Sequence, residues 1–331
     1  MNPKMTVTDA ASCLGRSKEW VAQTLGARGL LHSKSNKEIY FGHETAKALF
    51  QFTFVPRVIA FHIVKGGTGK TSLVYEFAVR ASLYGAKVLC VDMDQQGNLT
   101  EAFQANAEAQ ERAVMIDVLA DHVPLEDCIM TVAPGIDLLP SRFENSMLDE
   151  MIRAKGLGIE KVYREPFQRL KKHYDLILID CPPSLGLSVA AIALSADDLL
   201  APVTPEKFAL SGLELAHQSM TELQALHGVS IRFGVVLNKV EARTTLSQLT
   251  LKFLLKHSKF ADLLLKRSVR FSQEFPNAIA SHGSIFDAIR STAAKEDINA
   301  LTQELLGIGI YESGYRDVLL PKAIHSEATE I

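Results

Sequence analysis

The sequence lacks paired cysteines, which restricts the kinds of site it can hold. Its four cysteines lie far apart among the 331 residues and form no CxxC pair: Cys13, Cys90, Cys128 and Cys181. This spacing argues against a disulfide scaffold, a zinc site and an iron–sulfur cluster, because each of these needs cysteines brought together. We therefore expect a protein of a reducing, cytoplasmic compartment.

Long apolar runs and a strong excess of one charge are also missing. Apolar stretches such as residues 176–179 and 199–203 have the length of strands and are too short to cross a bilayer. Lys4 is followed by mixed polar sequence rather than by the apolar core of a signal peptide. The formal net charge is −3, so any affinity for DNA must come from local basic patches. These features predict a soluble protein without a membrane partner.

Apolar segments of strand length alternate with helical patterns from residue 57 onward. Hydrophobic residues make up 47% of the chain, which is enough to bury a large core. The predicted strands cover residues 58–64, 87–91, 136–139, 176–179, 199–203 and 233–237. Strands separated by helices are typical of a parallel sheet that is covered on both faces. The sequence therefore predicts an α/β fold with a doubly wound, mostly parallel sheet.

Residues 1–50 have a different pattern, in which two short helices are joined by a turn at Gly15. The pattern predicts helices over residues 9–14, 18–27 and 44–50, and a hairpin over residues 30–41. This arrangement is typical of a winged helix-turn-helix. Its second helix would turn Trp20, Val21 and Leu25 towards the core.

A winged helix-turn-helix would read DNA through its second helix. Arg16, Lys18 and Gln23 are the candidates for contacts to phosphates or base edges. The alternative interpretation is a helical cap on the larger domain, without any contact to DNA.

The segment KGGTGKT, residues 65–71, lies between a predicted strand and a predicted helix. Glycines let backbone N–H groups surround an anion, and the helix N-terminus adds partial positive charge. Lys70 would neutralise the β- and γ-phosphates, and the Thr71 hydroxyl would bind Mg²⁺. The cofactor-binding residues predicted from this pattern are Gly66, Gly67, Thr68, Gly69, Lys70, Thr71 and Ser72. The pattern indicates a nucleotide-binding P-loop.

This loop departs from the general P-loop pattern, because Val64 stands in place of the first glycine and Lys65 follows it. In this it resembles the deviant Walker A motif, KGGxGK[ST], of the ParA/MinD family of ATPases. The resemblance implies ATP as substrate, Mg²⁺ as cofactor, and a homodimer in which Lys65 reaches the nucleotide of the other subunit. A second cation at the transferred phosphoryl group can accelerate the reaction by about 10³–10⁵. We therefore expect both Lys65 and Lys70 to be catalytic.

Two further segments resemble motifs of this family, in the family's order. Residues 91–98, VDMDQQGN, are similar to its VDxDPQGN segment, with Gln95 in place of the usual proline. Residues 177–186, ILIDCPPSLG, combine a Walker B strand with its DxPPSLG turn. The resemblance implies water positioning in catalysis by Asp94, and a metal site of Thr71, Asp92 and Asp180. A single aspartate at a strand end could instead cap a helix.

The similarity extends from about residue 57 to about residue 305. Asn238 follows a strand where relatives hold the base, and its amide has a donor and an acceptor for adenine. Residues 267–272 and 281–283 resemble a stretched form of the family's VRxSEAPSxG segment. The cations of the last third form a candidate patch for DNA phosphates: Arg243, Lys252, Lys256, Lys259, Lys266, Arg267 and Arg270. Of these, we expect Lys266, Arg267 and Arg270 to make the DNA contacts.

The sequence thus predicts three parts: a DNA-binding head (1–50), a ParA-type ATPase domain (51–310) and a polar C-terminal tail (311–331). The predicted function is segregation of plasmid or chromosome DNA. An ATP-dependent dimer would bind DNA non-specifically at the nucleoid, and hydrolysis, stimulated by a ParB-like adaptor, would release it. The head could also bind an operator. Two alternatives stay open: a positioning ATPase for a protein or organelle cargo, and a transcriptional regulator tuned by nucleotide.

Overall fold

The structure is a computed structural model that describes residues 1–35, 38–121, 123–206, 209–241 and 243–308. The expected C-terminal tail lies outside these ranges. Within them, no helix combines the length and the apolar character needed to span a membrane.

Residues 1–50 form three helices and a small antiparallel sheet. In chain order these elements are β1 (Met5–Thr6), α1 (Val7–Leu14), α2 (Lys18–Ala27), β2 (Ser33–Ser35), β3 (Glu38–Phe41) and α3 (His43–Phe50). Strand β3 pairs with both β1 and β2. Helix α1 ends at Gly15, whose φ of 60° is left-handed, and Ser17 caps α2 by accepting a hydrogen bond from the Trp20 N–H at 3.1 Å. The predicted helices and hairpin are confirmed, while DNA recognition by this head stays a prediction.

One side chain of α2 does not face the way we expected. Val21 and Leu25 are fully buried, but Trp20 is 40% exposed. Successive residues of a helix are rotated by about 100°, so Trp20 falls at the edge of the buried face that Val21 and Leu25 define. The Arg16 guanidinium lies over the Trp20 ring, 5.4 Å from its centroid. The prediction of an inward-facing Trp20 was wrong.

The larger part of the chain forms a seven-stranded sheet. Its strands are β4 (Arg57–Phe61), β5 (Val88–Asp92), β6 (Met130–Ala133), β7 (Ile136–Leu139), β8 (Leu176–Asp180), β9 (Asp198–Val203) and β10 (Arg232–Leu237). They lie in the order β10-β9-β4-β8-β5-β7-β6, and all neighbours are parallel except β6 and β7. The mostly parallel sheet is confirmed. The antiparallel edge strand β6 was not predicted.

Helices cover both faces of this sheet. They are α4 (Lys70–Ser82), α5 (Asn98–Ala102), α6 (Asn106–Glu111), α7 (Met115–Asp121), α8 (Leu148–Ala154), α9 (Arg164–Leu170), α10 (Leu187–Ser195), α11 (Ala209–His227), α12 (Thr245–Lys256), α13 (Glu274–Ala280) and α14 (Ala293–Leu306). Alternate residues of β4 belong to different hydrophobic cores: Ile59 and Phe61 to one, Val58 and Ala60 to another. Because successive side chains of a strand point to opposite faces, the two cores lie on opposite sides of the sheet. The doubly wound architecture is therefore confirmed.

The head and the larger part share one of these cores. Met5 and Leu25 belong to the same buried cluster as the apolar residues of α4 and α14. Phe50 packs against Tyr84, with 5.5 Å between the ring centroids. Arg80 of α4 is fully buried and pairs with Asp9 of α1 at 3.4 Å. The head thus rests directly on α4, the helix that follows the glycine-rich loop.

Candidate functional site

The glycine-rich loop connects β4 to the N-terminus of α4. Helix α4 begins at Lys70, directly after Gly69, whose φ is +84°. A Cβ at Gly69 would lie 2.5 Å from the amide nitrogen of Asn238, so this position requires glycine. At Gly66 and Gly67 an added Cβ would meet no described atom within 4 Å. The loop therefore has an open side at a helix N-terminus, with the space and the partial positive charge that a phosphate group needs.

Lys70 is buried within this loop. Only 7% of the residue is exposed, and its ammonium donates to the Lys65 carbonyl over a long 3.4 Å. Burial lowers the pKa of Lys70, while the nearby charge of Asp180 acts in the opposite direction. Thr71 and Ser72 follow in the first turn of α4. The predicted phosphate-binding residues are thus brought together around one buried cation.

Two aspartates lie on adjacent strands beside this cation. Asp92 ends β5 and Asp180 ends β8, and they are register partners on adjacent parallel strands. Both are buried, and burial raises the pKa of Asp92 to about 7 and that of Asp180 to about 8. The charge of Asp92 adds to the upward shift in the pKa of Asp180, because two carboxylates at one site disfavour double ionisation. This edge of the sheet therefore favours a bound cation.

The residues present fit a Mg²⁺ ion. The Thr71 hydroxyl donates to Asp180 Oδ2 at 2.6 Å, and Asp180 Oδ1 is buried with no hydrogen-bond partner among the described residues. A hydroxyl and a carboxylate oxygen are ligands that Mg²⁺ prefers. Asp92 differs, because its carboxylate already accepts the N–H and the hydroxyl of Thr100, at 2.8 and 2.7 Å. These two hydrogen bonds tie Asp92 to the start of α5, and a direct metal contact by Asp92 stays a prediction.

Asp94 lies on the loop that follows β5, at the same edge of the sheet. It is 8% exposed, and its Oδ1 accepts the Gln96 N–H at 3.1 Å. This bond fixes the side chain within its own turn, although Gln95 stands where the family motif has proline. Asp94 is close enough to Lys70 for its charge to raise the pKa of that lysine. The expected catalytic aspartate and the phosphate-binding lysine therefore share one site.

Lys65 has a very different environment from Lys70. Its ammonium pairs with Glu206 at 2.5 Å, and the side chains of the two residues are 23% and 56% exposed. The hydrogen bond from Lys65 lowers the pKa of Glu206. Glu206 also accepts a hydrogen bond from the Thr204 hydroxyl at 3.0 Å, which lowers this pKa further. Sequence reasoning missed this pair.

Asn238 contacts the loop itself. Its amide nitrogen donates to the Thr68 carbonyl at 2.8 Å, and the neighbouring Lys239 donates to the Gly67 carbonyl at 2.7 Å. The expected role of Asn238 in binding adenine stays a prediction, because the structure describes its amide in a supporting contact. Lys239, which sequence reasoning did not single out, holds the loop from the same strand end.

The candidate DNA contacts fall into two separate groups. In the head, Arg16, Lys18 and Gln23 are all exposed at the start and on the outer face of α2. In the second group, Lys266 and Arg267 are exposed, and their backbone N–H groups both donate to Glu304 at 2.9 Å. These contacts fix the backbone at the second group.

Arg270, the last member of the second group, has acidic partners. Its guanidinium binds both carboxylate oxygens of Asp297, at 2.8 and 2.7 Å, and lies 3.6 Å from Glu296. The hydrogen bonds to Asp297 raise the pKa of Arg270. A DNA phosphate would therefore compete with Asp297 for this guanidinium.

Comparisons with known proteins agree with this geometry. The family model described as an AAA domain matches residues 56–232. The chain is 30% identical over 244 residues to the cell division protein PomZ of Myxococcus xanthus, covering 73% of this chain and 75% of PomZ. It is 29% identical over 225 residues to the chromosome partitioning protein ParA of Caulobacter vibrioides, covering 66% of this chain and 83% of ParA.

A solved structure with the same fold is an ATP complex of a Cyanothece McdA variant. It has a TM-score of 0.70 and 20% sequence identity, and the match covers 78% of this chain and 100% of McdA. The deviant P-loop, the aspartates at the carboxyl ends of β5 and β8 and these matches lead to one conclusion. The chain belongs to the ParA/MinD family of P-loop ATPases.

Proposed function

We propose that the protein is a ParA-type ATPase that segregates plasmid or chromosome DNA, and that it switches by ATP-dependent dimerisation. The observation that carries this proposal is the contrast between two lysines of one loop. Lys70 is buried beside Asp180, whereas Lys65 lies near the surface with Glu206. A buried cation suits the phosphates of its own subunit, and a surface cation can leave its partner for the nucleotide of another subunit.

ATP and Mg²⁺ are the ligands that this site supports best. Lys70 would hold the phosphates together with the N–H groups of residues 66–72, and Thr71 and Asp180 would hold Mg²⁺. When bound, Mg²⁺ supplies positive charge against the phosphate oxygens. The open side at Gly66 and Gly67 leaves room for the phosphates.

Asp94 is the residue that we assign to positioning the attacking water. Its carboxylate is held by the Gln96 N–H, so it can accept a hydrogen bond from water without a change of side-chain conformation. Lys65 of the partner subunit would bring a second cation to the transferred phosphoryl group. Hydrolysis would therefore be slow in the monomer and faster in the dimer.

DNA would bind the dimer through the phosphate backbone. Lys266 and Arg267 are exposed for such contacts, and Arg270 can join them once it leaves Asp297. Such binding is non-specific, with a Kd of about 10⁻⁴–10⁻⁶ M, and is weakened by salt. The head would bind an operator through Arg16, Lys18 and Gln23, and a ParB-like adaptor would stimulate hydrolysis and release the DNA.

A second candidate is the positioning of a protein or organelle cargo by the same nucleotide cycle. It is favoured by the 30% identity to a relative named as a cell division protein. The two functions share the ATPase cycle and differ in the partner that stimulates it.

The variant Asp94→Ala tests the proposed chemistry. It should bind ATP with wild-type affinity and still dimerise, but its phosphate release should fall at least about 100-fold, as expected for the loss of a water-positioning group. Asp127→Ala, at an exposed aspartate away from the site, is the matched control and should retain full activity. Wild-type phosphate release by Asp94→Ala would refute the assignment, and no ATP hydrolysis by the wild-type protein with DNA present would refute the proposed function.

A further inference from the structure

Helix α12 exposes most of its apolar side chains. It packs onto the body through Ser247, Thr250 and Leu254, so a single leucine is its buried apolar contact. The other apolar side chains of the helix are between 37% and 57% exposed: Leu246, Leu249, Leu251, Phe253 and Leu255. Apolar groups concentrated on one exposed helix mark a surface that another molecule covers.

The same helix is cationic. The four cations in and around it are Arg243, Lys252, Lys256 and Lys259. The sequence contains no aspartate or glutamate between Glu241 and Asp262. Whatever covers α12 must therefore supply negative charge together with apolar side chains.

The order of side chains around α12 further restricts which molecules could bind it. At about 100° per residue, Lys252 and Lys256 lie opposite the buried side. Leu246, Leu249 and Phe253 form a stripe along one flank of the helix, and Leu251 and Leu255 form a stripe along the other. The surface thus has a central row of cations between two apolar rows.

Three other occupants fit this surface poorly. DNA phosphates would use the lysines but leave five apolar side chains in water. On a lipid surface, both apolar rows could enter the membrane only if the lysines between them were buried in it as well. A second copy of α12 packed on the first would bring like charges together, because the helix has no carboxylate to pair with them.

We propose that α12 is the docking surface for an acidic, leucine-bearing helical segment of a partner protein. Leucines of that segment would enter the two flanks of α12, and its carboxylates would pair with Lys252 and Lys256. The proposal rests on the proposed function in one respect: the partner that docks here would be the protein that acts on the ATPase cycle. Docking itself needs neither nucleotide nor DNA.

A synthetic peptide tests this proposal on the full chain. The probe is a fluorescein-labelled 18-residue helix with a central row of glutamates between two rows of leucines, and binding is read by fluorescence anisotropy. Lys252→Glu with Lys256→Glu should weaken its binding at least tenfold, and a peptide with lysines in place of the glutamates should reverse that loss. Leu249→Ser with Phe253→Ser should weaken both peptides at least tenfold.

Matched variants elsewhere serve as controls. Lys161→Glu with Lys172→Glu makes the same charge change at exposed lysines, and Leu226→Ser removes a leucine that is 78% exposed on α11. Both should bind the glutamate peptide within twofold of wild type. All variants should keep wild-type ATP affinity, which shows that they are folded and separates this test from that of the ATPase.

Three results would overturn the proposal. One is failure of the glutamate peptide to bind the wild-type chain. Another is unchanged peptide binding by the Lys252/Lys256 variant while its binding to a 25-base-pair duplex falls tenfold. The third is wild-type binding to vesicles of equal phosphatidylglycerol and phosphatidylcholine that the Leu249/Phe253 variant loses while it still binds the peptide.

Discussion

At the amino-terminal edge of the sheet, the buried Asp198 has two cationic partners, Arg232 at 2.8 Å and Arg57 at 3.4 Å. At the carboxyl-terminal edge, the buried Asp92 and Asp180 are instead register partners on adjacent strands. At the first edge each charge meets an opposite charge. At the second, two carboxylates lie together, and Asp180 keeps one oxygen without a partner among the described residues.

This difference separates stabilisation from function within one sheet. At the amino-terminal edge, each charge is balanced by an opposite charge of the protein itself. Removing one of these charges should therefore lower the free energy of unfolding. At the carboxyl-terminal edge, the clustered carboxylates are balanced only when a cation binds. The open loop beside Lys70 is likewise balanced only when an anion binds. The ligand-binding edge should therefore tolerate substitution in folding but not in binding.

The largest effect that we expect is from Lys70→Ala. ATP should lose its main side-chain cation in a buried site, so affinity should fall at least about 100-fold. The measurement is titration with a fluorescent ATP analogue, with thermal unfolding of the ligand-free variant as the control for folding. ATP affinity within tenfold of wild type would mean that the loop does not hold the phosphates through Lys70.

The two edges should respond in opposite directions to the same isosteric change. Asp198→Asn leaves Arg57 and Arg232 without their carboxylate and should lower the free energy of unfolding by about 3 kcal/mol. Asp180→Asn removes one of two neighbouring carboxylates and should raise the stability of the Mg²⁺-free protein. Urea unfolding of both variants in a chelating buffer makes the comparison. A loss of stability from Asp180→Asn would contradict the contrast between the edges.

The same experiment has a pH dependence with a defined sign. The pKa of Asp180 is raised to about 8 in the folded chain, against about 3.9 for an unfolded aspartate. Folding therefore takes up a proton in this range, and the free energy of unfolding should fall as pH rises from about 4 to about 8. The stability gained by Asp180→Asn should accordingly be larger at pH 8 than at pH 5.

The smallest effect that we expect concerns Arg270. Its ion pair with Asp297 resembles the ion pairs of Asp198 at the amino-terminal edge. Asp297→Asn removes the bidentate carboxylate and should strengthen ATP-dependent binding of random-sequence DNA by severalfold, since an exposed pair is worth only about 0–1 kcal/mol. Gel shift at two salt concentrations measures it. Asp262→Asn, the same change at an aspartate outside α14, is the control. Unchanged or weaker binding by Asp297→Asn would show that Arg270 acts in folding rather than on DNA.

The carboxyl-terminal edge was largely predictable from the sequence, because its chemistry is local. The loop of residues 65–71 carries its glycines and lysines at fixed spacing, and the strands before it and around it are continuous apolar runs. The ends of parallel strands meet at one edge, so Asp92 and Asp180 could be placed together before any coordinates.

Contacts between distant residues could not be predicted in this way. Lys65 and Glu206 are 141 residues apart, and nothing local to either residue encodes their pairing. Arg270 was predicted as a member of a group of cations. Its pairing with Asp297 could not be predicted, because it depends on where α14 packs. Trp20 was misplaced because one step along a helix turns a side chain from the buried face to its edge.

The head illustrates the same limit at the level of domains. Its pattern of short helices was visible in residues 1–50, but its core with α4 and α14 was not. Deleting residues 1–50 would uncover that core and leave Arg80 without Asp9. Substitution of the exposed Arg16, Lys18 and Gln23 is therefore the better test of operator binding than removal of the head.

Sedimentation of Lys65→Ala with ADP and with a slowly hydrolysed ATP analogue tests the central claim most directly. The wild-type protein should dimerise with the analogue, and Glu206→Gln, which frees Lys65 from its partner, should dimerise at a lower protein concentration. Lys65→Ala should bind ADP with nearly unchanged affinity, because ADP has no γ-phosphate for the lysine to reach, and should stay monomeric with the analogue. A Lys65→Ala variant that dimerises as fully as wild type would contradict the account, since Lys65 would then act only within its own loop.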